Sequence, residues 1–206
     1  MSLNPYQTQF ETKIIKKLTP KGKTHLALED NISFDYEKLN TFVEPIMING
    51  QPIEGSYKSS LGKVYILSKP IDADFVTLSV DYDLRMTLLK SLTFRYLILA
   101  FFKKHYHLSA KNFRTEKNIS SFELPASITE DELVSMVSYL ELALDNYISS
   151  AIEIQTNLVD KIWQTDIPGV YHGQSLGPTL SNLSQLGPFD FAYYKKDKRW
   201  TLYYRV

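Results

Sequence analysis

The chain has 206 residues and carries 23 basic and 23 acidic side chains, so its formal net charge at neutral pH is zero. This balance excludes a molecule-wide field that would attract nucleic acid or an anionic membrane, and any such binding must come from a local patch. The absence of cysteine excludes disulfides, thiol nucleophiles and Cys-ligated zinc, and it is compatible with a reducing cytoplasm.

The first eighty residues consist of short apolar segments separated by turn signals. Gly and Pro in PKGK, INGQP and SLGK mark the turns. The segments between them are rich in β-branched and aromatic residues and partly alternate, as strands do: QFETKII, THLALED, EPIMI, KVYILSK and FVTLSVDY. This pattern predicts a small, β-rich, barrel-like N-terminal lobe over residues 1–80.

Two helices are predicted in the rest of the chain. Between residues 83 and 104 apolar residues recur at helical spacing on more than one side, which is typical of a buried central helix. A second helical pattern covers residues 128–148, where Thr129 and Glu132 have the spacing of a capping box.

The remaining stretches predict strands and turns. AIEIQT alternates as a strand, residues 157–163 are assigned to a short helix, and the C-terminal stretch from FDF onward predicts a hairpin that turns at KKDK. Together these elements predict an α+β fold with a second, α+β domain over residues 81–206.

No membrane segment is expected. The longest apolar run, residues 96–102, is too short to cross a bilayer, and the N-terminal residues show no signal-peptide pattern. The sequence therefore predicts a soluble, cytoplasmic protein.

Common catalytic templates are missing from the sequence. It contains no GxGxxG, P-loop, GxSxG or HExxH motif. His172, in VYHGQ, is the best candidate for a catalytic acid or base. A single histidine is more often structural, so the alternative is that His172 has no catalytic role.

Two similar pentads stand out: LTFRY at 92–96 and LGPTL at 176–180. In each, the first and last residues are four apart, and each contains a threonine, Thr93 or Thr179. With their flanks, VDYDLRMTLLKSLTFRYLILA and SLGPTLSNLSQLGPFDF, they resemble the stand-alone alanyl-tRNA editing proteins, which are similar to the editing domain of alanyl-tRNA synthetase. That family carries HTxxH on a helix and CxGTH in a later turn. The residues that fit its pattern are Asp81, Arg85, Thr93, Leu97, Ala100, Gly177, Thr179 and Gly187.

The sequence departs from the family at the metal site. Leu92, Tyr96, Leu176 and Leu180 stand where the family has its four zinc ligands. Leucine has no lone pair to donate, and a neutral tyrosine is a poor zinc ligand. Pro178 replaces a glycine, the segment after Thr179 is one residue shorter, and EDNISFDYEKLN stands in the place of the family's GGGQ loop. The resemblance therefore implies no metal and no cofactor.

In place of the metal, the resemblance implies a pocket at the former metal site. The residues that would line it are Leu92, Thr93, Tyr96, Leu176, Thr179 and Leu180. The alternative is that these leucines are ordinary core residues and the two pentads are coincidental.

Three functions follow from these observations. The first is a zinc-less homologue of the editing proteins that binds a tRNA acceptor end or a small aminoacyl-like ligand. The second is a metal-independent deacylase of mischarged tRNA. Its candidate groups for positioning water are Thr93, Arg95, Tyr96, His172 and Thr179. The third is a non-enzymatic protein-interaction module.

The C-terminal hairpin is the candidate RNA-binding region, because aromatic faces can stack on unpaired bases and cations can contact phosphates. The residues assigned to this role are Lys195, Lys196, Lys198, Arg199 and Trp200. The alternative is a solvated turn with core aromatic residues.

Overall fold

A computed structural model describes residues 4–30, 34, 39–117, 119–160, 162–196 and 199–205. The fold is mixed α+β, and strands account for 43% of the described residues, so the predicted α+β class is confirmed with strands as the larger part. In the described ranges, neither α-helix has the length and apolar character that a membrane crossing requires.

The chain divides into two compact units. One contains the described residues of Tyr6–Phe34 and Val43–Arg85, and the other contains residues 4–5, 39–42 and the described residues of Met86–Val206. The division thus falls between residues 85 and 86, whereas the sequence predicts a boundary between 80 and 81. Residues 39–42 belong with the C-terminal part.

The unit that ends at Arg85 contains one seven-stranded antiparallel sheet. Its strands are β1 Gln9–Leu18, β2 Thr24–Leu28, β3 Ile46–Ile48, β4 Gln51–Pro52, β5 Gly55–Ser59, β6 Gly62–Leu67 and β7 Phe75–Val80. Their order in the sheet is β4-β3-β7-β1-β2-β6-β5. The five predicted segments overlap β1, β2, β3, β6 and β7, while β4 and β5 were not predicted. Alternating apolar side chains from these strands, such as Leu26, Ile48 and Leu78, form its core.

A buried ion pair also lies in this unit. Arg85 Nε donates to Glu44 Oε1 over 2.6 Å, and both side chains are 0% exposed. The guanidinium carbon lies 4.3 Å from the centroid of the Phe34 ring. A buried charge is tolerated only with such a partner. Arg85, one of the residues behind the family resemblance, thus has a structural contact here.

The two helices are α1, Tyr82–Tyr106, and α2, Glu130–Ser149, and both confirm the predicted helices to within two residues at each end. The Asp81 carboxylate caps α1 by accepting from Leu84 N over 2.9 Å. The predicted capping box of α2 is present: Glu132 N donates to Thr129 Oγ1, and Thr129 N donates to Glu132 Oε2.

Seven further strands follow: β8 Lys111–Glu116, β9 Ile119–Pro125, β10 Gln155–Val159, β11 Ile162–Ile167, β12 Tyr171–Ser175, β13 Asp190–Lys196 and β14 Arg199–Arg205. They form two antiparallel sheets, a four-stranded sheet of order β13-β14-β9-β8 and a three-stranded sheet of order β10-β11-β12. The predicted C-terminal hairpin is confirmed by the pairing of β13 with β14.

The short helix predicted over residues 157–163 is wrong. Residues 155–159 and 162–167 form the β10–β11 hairpin, in which Val159 pairs with Ile162. Asp160 has a φ of 50°, a left-handed conformation that turns the chain and is incompatible with a continuous helix. The predicted AIEIQT strand is confirmed only at its last two residues.

α1 lies against the four-stranded sheet through aromatic and hydroxyl contacts. The rings of Phe94 and Tyr204 stack with centroids 4.9 Å apart. The Ser91 hydroxyl is hydrogen-bonded to Thr115 of β8 at 2.7 Å and to Ser120 of β9 at 2.6 Å. These contacts fix the rotation of α1 and therefore the direction in which LTFRY faces.

The capping box gives a first testable prediction. Thr129→Ala removes the side-chain acceptor of Glu132 N, so we expect the free energy of unfolding to fall by about 1 kcal/mol. Thr129→Ser keeps the hydroxyl and should stay close to the wild type. Chemical denaturation of the three proteins measures the difference, and equal stabilities for the alanine and serine variants would contradict the capping role.

Candidate functional site

LTFRY lies in the middle of α1, on a buried face of the helix. Leu92 and Thr93 expose 0% of their surface and Tyr96 exposes 2%. Residues three and four apart share one side of a helix, so Tyr96 lies one turn beyond Leu92 and Thr93. This face therefore presents a methyl group, an aliphatic hydroxyl and a phenol together.

LGPTL contacts the same face, and two hydrogen bonds join the pentads. Leu180 N donates to Thr93 Oγ1 over 2.9 Å, and Leu176 N donates to Tyr96 Oη over 2.6 Å. The Thr93 hydroxyl in turn donates to Leu89 O over 2.8 Å. LGPTL lies outside the helices and strands, so its buried N–H groups need such acceptors. The two pentads, far apart in sequence, are juxtaposed in the structure.

Gly177 allows LGPTL to approach α1 closely. A Cβ at this position would lie 2.9 Å from Leu39 Cδ2 and 3.4 Å from Leu92 Cδ1. The first distance is shorter than carbon atoms tolerate, so any larger residue would displace a leucine methyl group. The glycine that fits the family pattern therefore has a packing reason in this chain.

Tyr96 is a neutral phenol in this environment. Burial raises the pKa of Tyr96 above its ordinary value, while the N–H of Leu176 and the Arg95 cation lower it in part. The Tyr171 ring, whose centroid is 5.1 Å from that of Tyr96, adds to the increase. At neutral pH Tyr96 therefore accepts a hydrogen bond without acting as a base.

Thr179 belongs to a series of hydrogen-bonded hydroxyls. Its Oγ1 contacts Thr156 Oγ1, which lies 3.1 Å from Thr165 Oγ1. Thr165 donates to Ser175 Oγ over 3.0 Å, and Ser175 donates to Gly177 O over 3.1 Å. The series connects LGPTL to all three strands of the β10–β12 sheet.

Sequence reasoning missed Thr156, Thr165 and Ser175. Thr156 and Thr165 are cross-strand partners in the β10–β11 hairpin. The β-branched residues of this stretch are a strand signal, but assigning residues 157–163 to a helix concealed it. With the hairpin in place, the two threonines would have been expected to face each other.

The four metal-ligand positions of the family carry no metal-binding set in this chain. Leu92 and Leu180 are buried hydrocarbon, Leu176 is 41% exposed, and Tyr96 is occupied as a hydrogen-bond acceptor. Within the described ranges, no three His, Cys, Asp or Glu side chains gather where they could hold an ion. Thr179 is also buried, at 2% exposure. The pocket expected among these residues stays a prediction.

His172 does not join the pentads. Its side chain is 86% exposed, and its Nδ1 lies 3.4 Å from Asp166 Oδ1 on the neighbouring strand. Tyr171, the preceding residue, contacts Tyr96. Because successive residues of a strand face opposite sides, His172 faces away from Tyr96.

Arg95 is buried on a different side of α1 from Thr93. Its Nη2 donates to Leu39 O over 3.0 Å, and its guanidinium lies 5.0 Å from the centroid of the Phe113 ring. Burial lowers the pKa of Arg95, which nearby Tyr204 and Tyr96 partly offset. Its donors therefore point to a carbonyl and an aromatic face rather than to LGPTL.

The C-terminal hairpin distributes its predicted RNA-binding residues over two faces. Trp200 is 3% exposed and donates its Nε1–H to Ile128 O, and Lys195 lies over its ring at 4.9 Å. Lys196 and Arg199 are exposed on the opposite face. Lys198 lies outside the described residues. Trp200 is thus a core residue with the exposed Lys195 on its own side of the sheet, whereas Lys196 and Arg199 lie on the other side.

No protein-family model matches the chain, and no curated protein matches it.

Thr93 gives a second prediction. Thr93→Val leaves Leu180 N buried without an acceptor, so we expect the free energy of unfolding to fall by about 1–3 kcal/mol. Thr93→Ser keeps the hydroxyl and loses only one methyl group, so it should be less destabilised. Urea denaturation compares the two, and a valine variant as stable as the serine variant would mean that the bond to Leu180 contributes nothing.

The juxtaposed pentads also predict an engineered metal site. The combined changes Leu92→His, Tyr96→His, Leu176→Cys and Leu180→His place four zinc ligands at the facing positions. The free variant should be less stable than the wild type, because polar groups replace buried apolar ones. Stoichiometric zinc should raise its Tm, since metal that binds only the folded state stabilises it.

The control for this experiment is the double variant Leu92→His, Tyr96→His, which has two ligands and should gain far less from zinc. Elemental analysis and thermal denaturation measure both effects. A quadruple variant that folds yet neither binds zinc nor gains thermal stability would show that the four side chains do not converge.

Proposed function

We propose that this chain is a zinc-less relative of the alanyl-tRNA editing proteins that binds a tRNA acceptor end or a small aminoacyl-like ligand. In this proposal a β-rich, barrel-like lobe over residues 1–80 precedes an editing-like α+β lobe over residues 81–206, and the protein acts in the cytoplasm. The function is binding rather than hydrolysis.

The observation that carries the proposal is the pair of hydrogen bonds between the two pentads. The second residue of LTFRY accepts from the fifth residue of LGPTL, and the fifth residue of LTFRY accepts from the first residue of LGPTL. If these leucines were ordinary core residues, LTFRY could as well have packed against many other segments. The resemblance singles out these two segments, and they meet with both threonines buried at the contact.

Binding is favoured over hydrolysis by the chemistry of the groups present. Hydrolysis needs a group that can accept a proton from water near neutral pH. Thr93 and Thr179 are neutral hydroxyls, burial raises the pKa of Tyr96, and His172 faces away from Tyr96. Hydroxyl and amide groups in an apolar setting suit the orientation of a ligand.

Two measurements on the same preparation test the proposal. Fluorescence anisotropy with a labelled tRNA, intact or with its unpaired 3′ nucleotides removed, should show binding that weakens by at least tenfold when the 3′ end is missing. Incubation with mischarged tRNA should release amino acid no faster than buffer alone.

The other functions predict different results. Deacylation that persists in a chelator and is lost in His172→Ala would support a metal-independent deacylase. Equal affinity for intact and trimmed tRNA, or no affinity for either, would rule out acceptor-end binding and leave a small aminoacyl-like ligand or the protein-interaction module.

A further inference from the structure

The four-stranded sheet has one face that packs on α1 and one face that is open. Trp200, Leu202 and Tyr204 of β14 are buried, whereas the alternate residues Arg199, Thr201 and Tyr203 face the open side. On that side the sheet forms a concave surface with a volume of about 850 Å³, lined by residues of all four strands.

We propose that this open face binds unpaired nucleotides of RNA, with Tyr194 and Tyr203 as a base-stacking platform and Lys196, Arg199 and Arg114 as phosphate contacts. The proposal rests on the proposed function and names a surface for it, because a tRNA acceptor end terminates in unpaired nucleotides. It places the unpaired nucleotides of the RNA on the sheet.

The aromatic part of the platform is preorganised. The rings of Tyr194 and Tyr203 are nearly parallel, at 14°, with centroids 5.7 Å apart, and their hydroxyl oxygens are 3.4 Å apart. Tyr194 is 44% exposed. Two aligned rings on a rigid sheet offer flat surfaces on which bases of any sequence can stack.

Three cations of the open face border these rings. Lys196 and Arg199 are cross-strand partners at one end of the hairpin, and Arg114 lies on the edge strand β8. All three line the concave surface together with Tyr194 and Tyr203. They place positive charge beside the stacking rings, where the phosphates of a stacked strand would lie.

Two carboxylates fix the arginines without using up their donors. Glu123 Oε2 accepts from Arg199 Nη1 and from Asn112, and the pKa of Glu123 is lowered chiefly by the Arg199 contact. Arg114 Nη2 lies 2.6 Å from Glu116 Oε1. A guanidinium has five N–H donors, so both arginines retain donors for phosphate. The three cations exceed the two carboxylates by one charge.

The test uses a fluorescein-labelled single-stranded RNA tetranucleotide, ACCA, and a full tRNA, each titrated by anisotropy into wild type and variants. Tyr194→Ala with Tyr203→Ala should weaken binding of both RNAs at least about tenfold, because stacking is lost. Tyr194→Phe with Tyr203→Phe keeps the rings and should stay within about threefold of wild type. Tyr57→Ala removes a comparably exposed strand tyrosine of the other unit and should change nothing.

A charge test separates the two faces of the same hairpin. Lys196→Glu should weaken RNA binding and make the dependence of affinity on salt concentration shallower, since fewer counterions are released. Lys195→Glu changes the neighbouring residue on the opposite face, over Trp200, and should have a clearly smaller effect. If circular dichroism shows that the tyrosine-to-alanine variant is unfolded, this pair of lysine variants still tests whether RNA binds the open face.

Each outcome has a separate meaning. If wild type prefers tRNA with an intact 3′ end but the tyrosine and Lys196 variants bind that tRNA equally well, the sheet platform is wrong and the proposed function stands. If wild type binds ACCA through the tyrosines but has no preference for an intact acceptor end, the platform stands and the proposed function fails. Binding of neither RNA by wild type overturns both the sheet platform and acceptor-end binding.

Discussion

The fold of the C-terminal part of the chain depends on acceptors for the backbone N–H groups of LGPTL. This segment has no ladder or helix to satisfy them, and each buried N–H left unpaired would destabilise the fold by about 1–3 kcal/mol. Thr93 and Tyr96 provide those acceptors from one face of α1. The path of LGPTL is therefore set by a helix face. The residues that follow LGPTL are held by backbone hydrogen bonds to the stretch before β10: Ser181 O accepts from Ile154 N, and Leu183 N donates to Ile152 O.

The two helices could be predicted because their signals are local. The apolar spacing of residues 83–104 and the capping box at Thr129 depend on residues within one or two turns. The β10–β11 hairpin could not be predicted with the same certainty, because a single left-handed residue, Asp160, decides between a turn and a continuous helix. Strands β8 and β9 are rich in charged and hydroxyl residues, so no apolar alternation in the sequence predicts that they pair. The structure shows the reason for those hydroxyls, because Ser91 of α1 is hydrogen-bonded to one residue of each strand.

The sequence was more informative about the centre of the candidate site than about its surroundings. LTFRY and LGPTL were identified as a pair, yet Thr156, Thr165 and Ser175 require the strand register of a sheet that was not predicted. In the C-terminal hairpin the strand alternation could be predicted, but the buried face could not. Alternation places Tyr194 and Trp200 on opposite faces, yet both faces carry aromatic residues and lysines. Only the packing of α1 against β14 shows which face is buried.

The hydroxyl series has a fixed polarity. Ser175 has one proton, which it donates to Gly177 O, so it must accept from Thr165. Thr165 has then used its own proton and must accept from Thr156, which in turn must accept from Thr179. All four O–H dipoles consequently point in the same direction along the series, and aligned hydrogen bonds polarise and strengthen one another. One backbone carbonyl, two residues before Thr179, thus determines which way each hydroxyl of the series donates its proton.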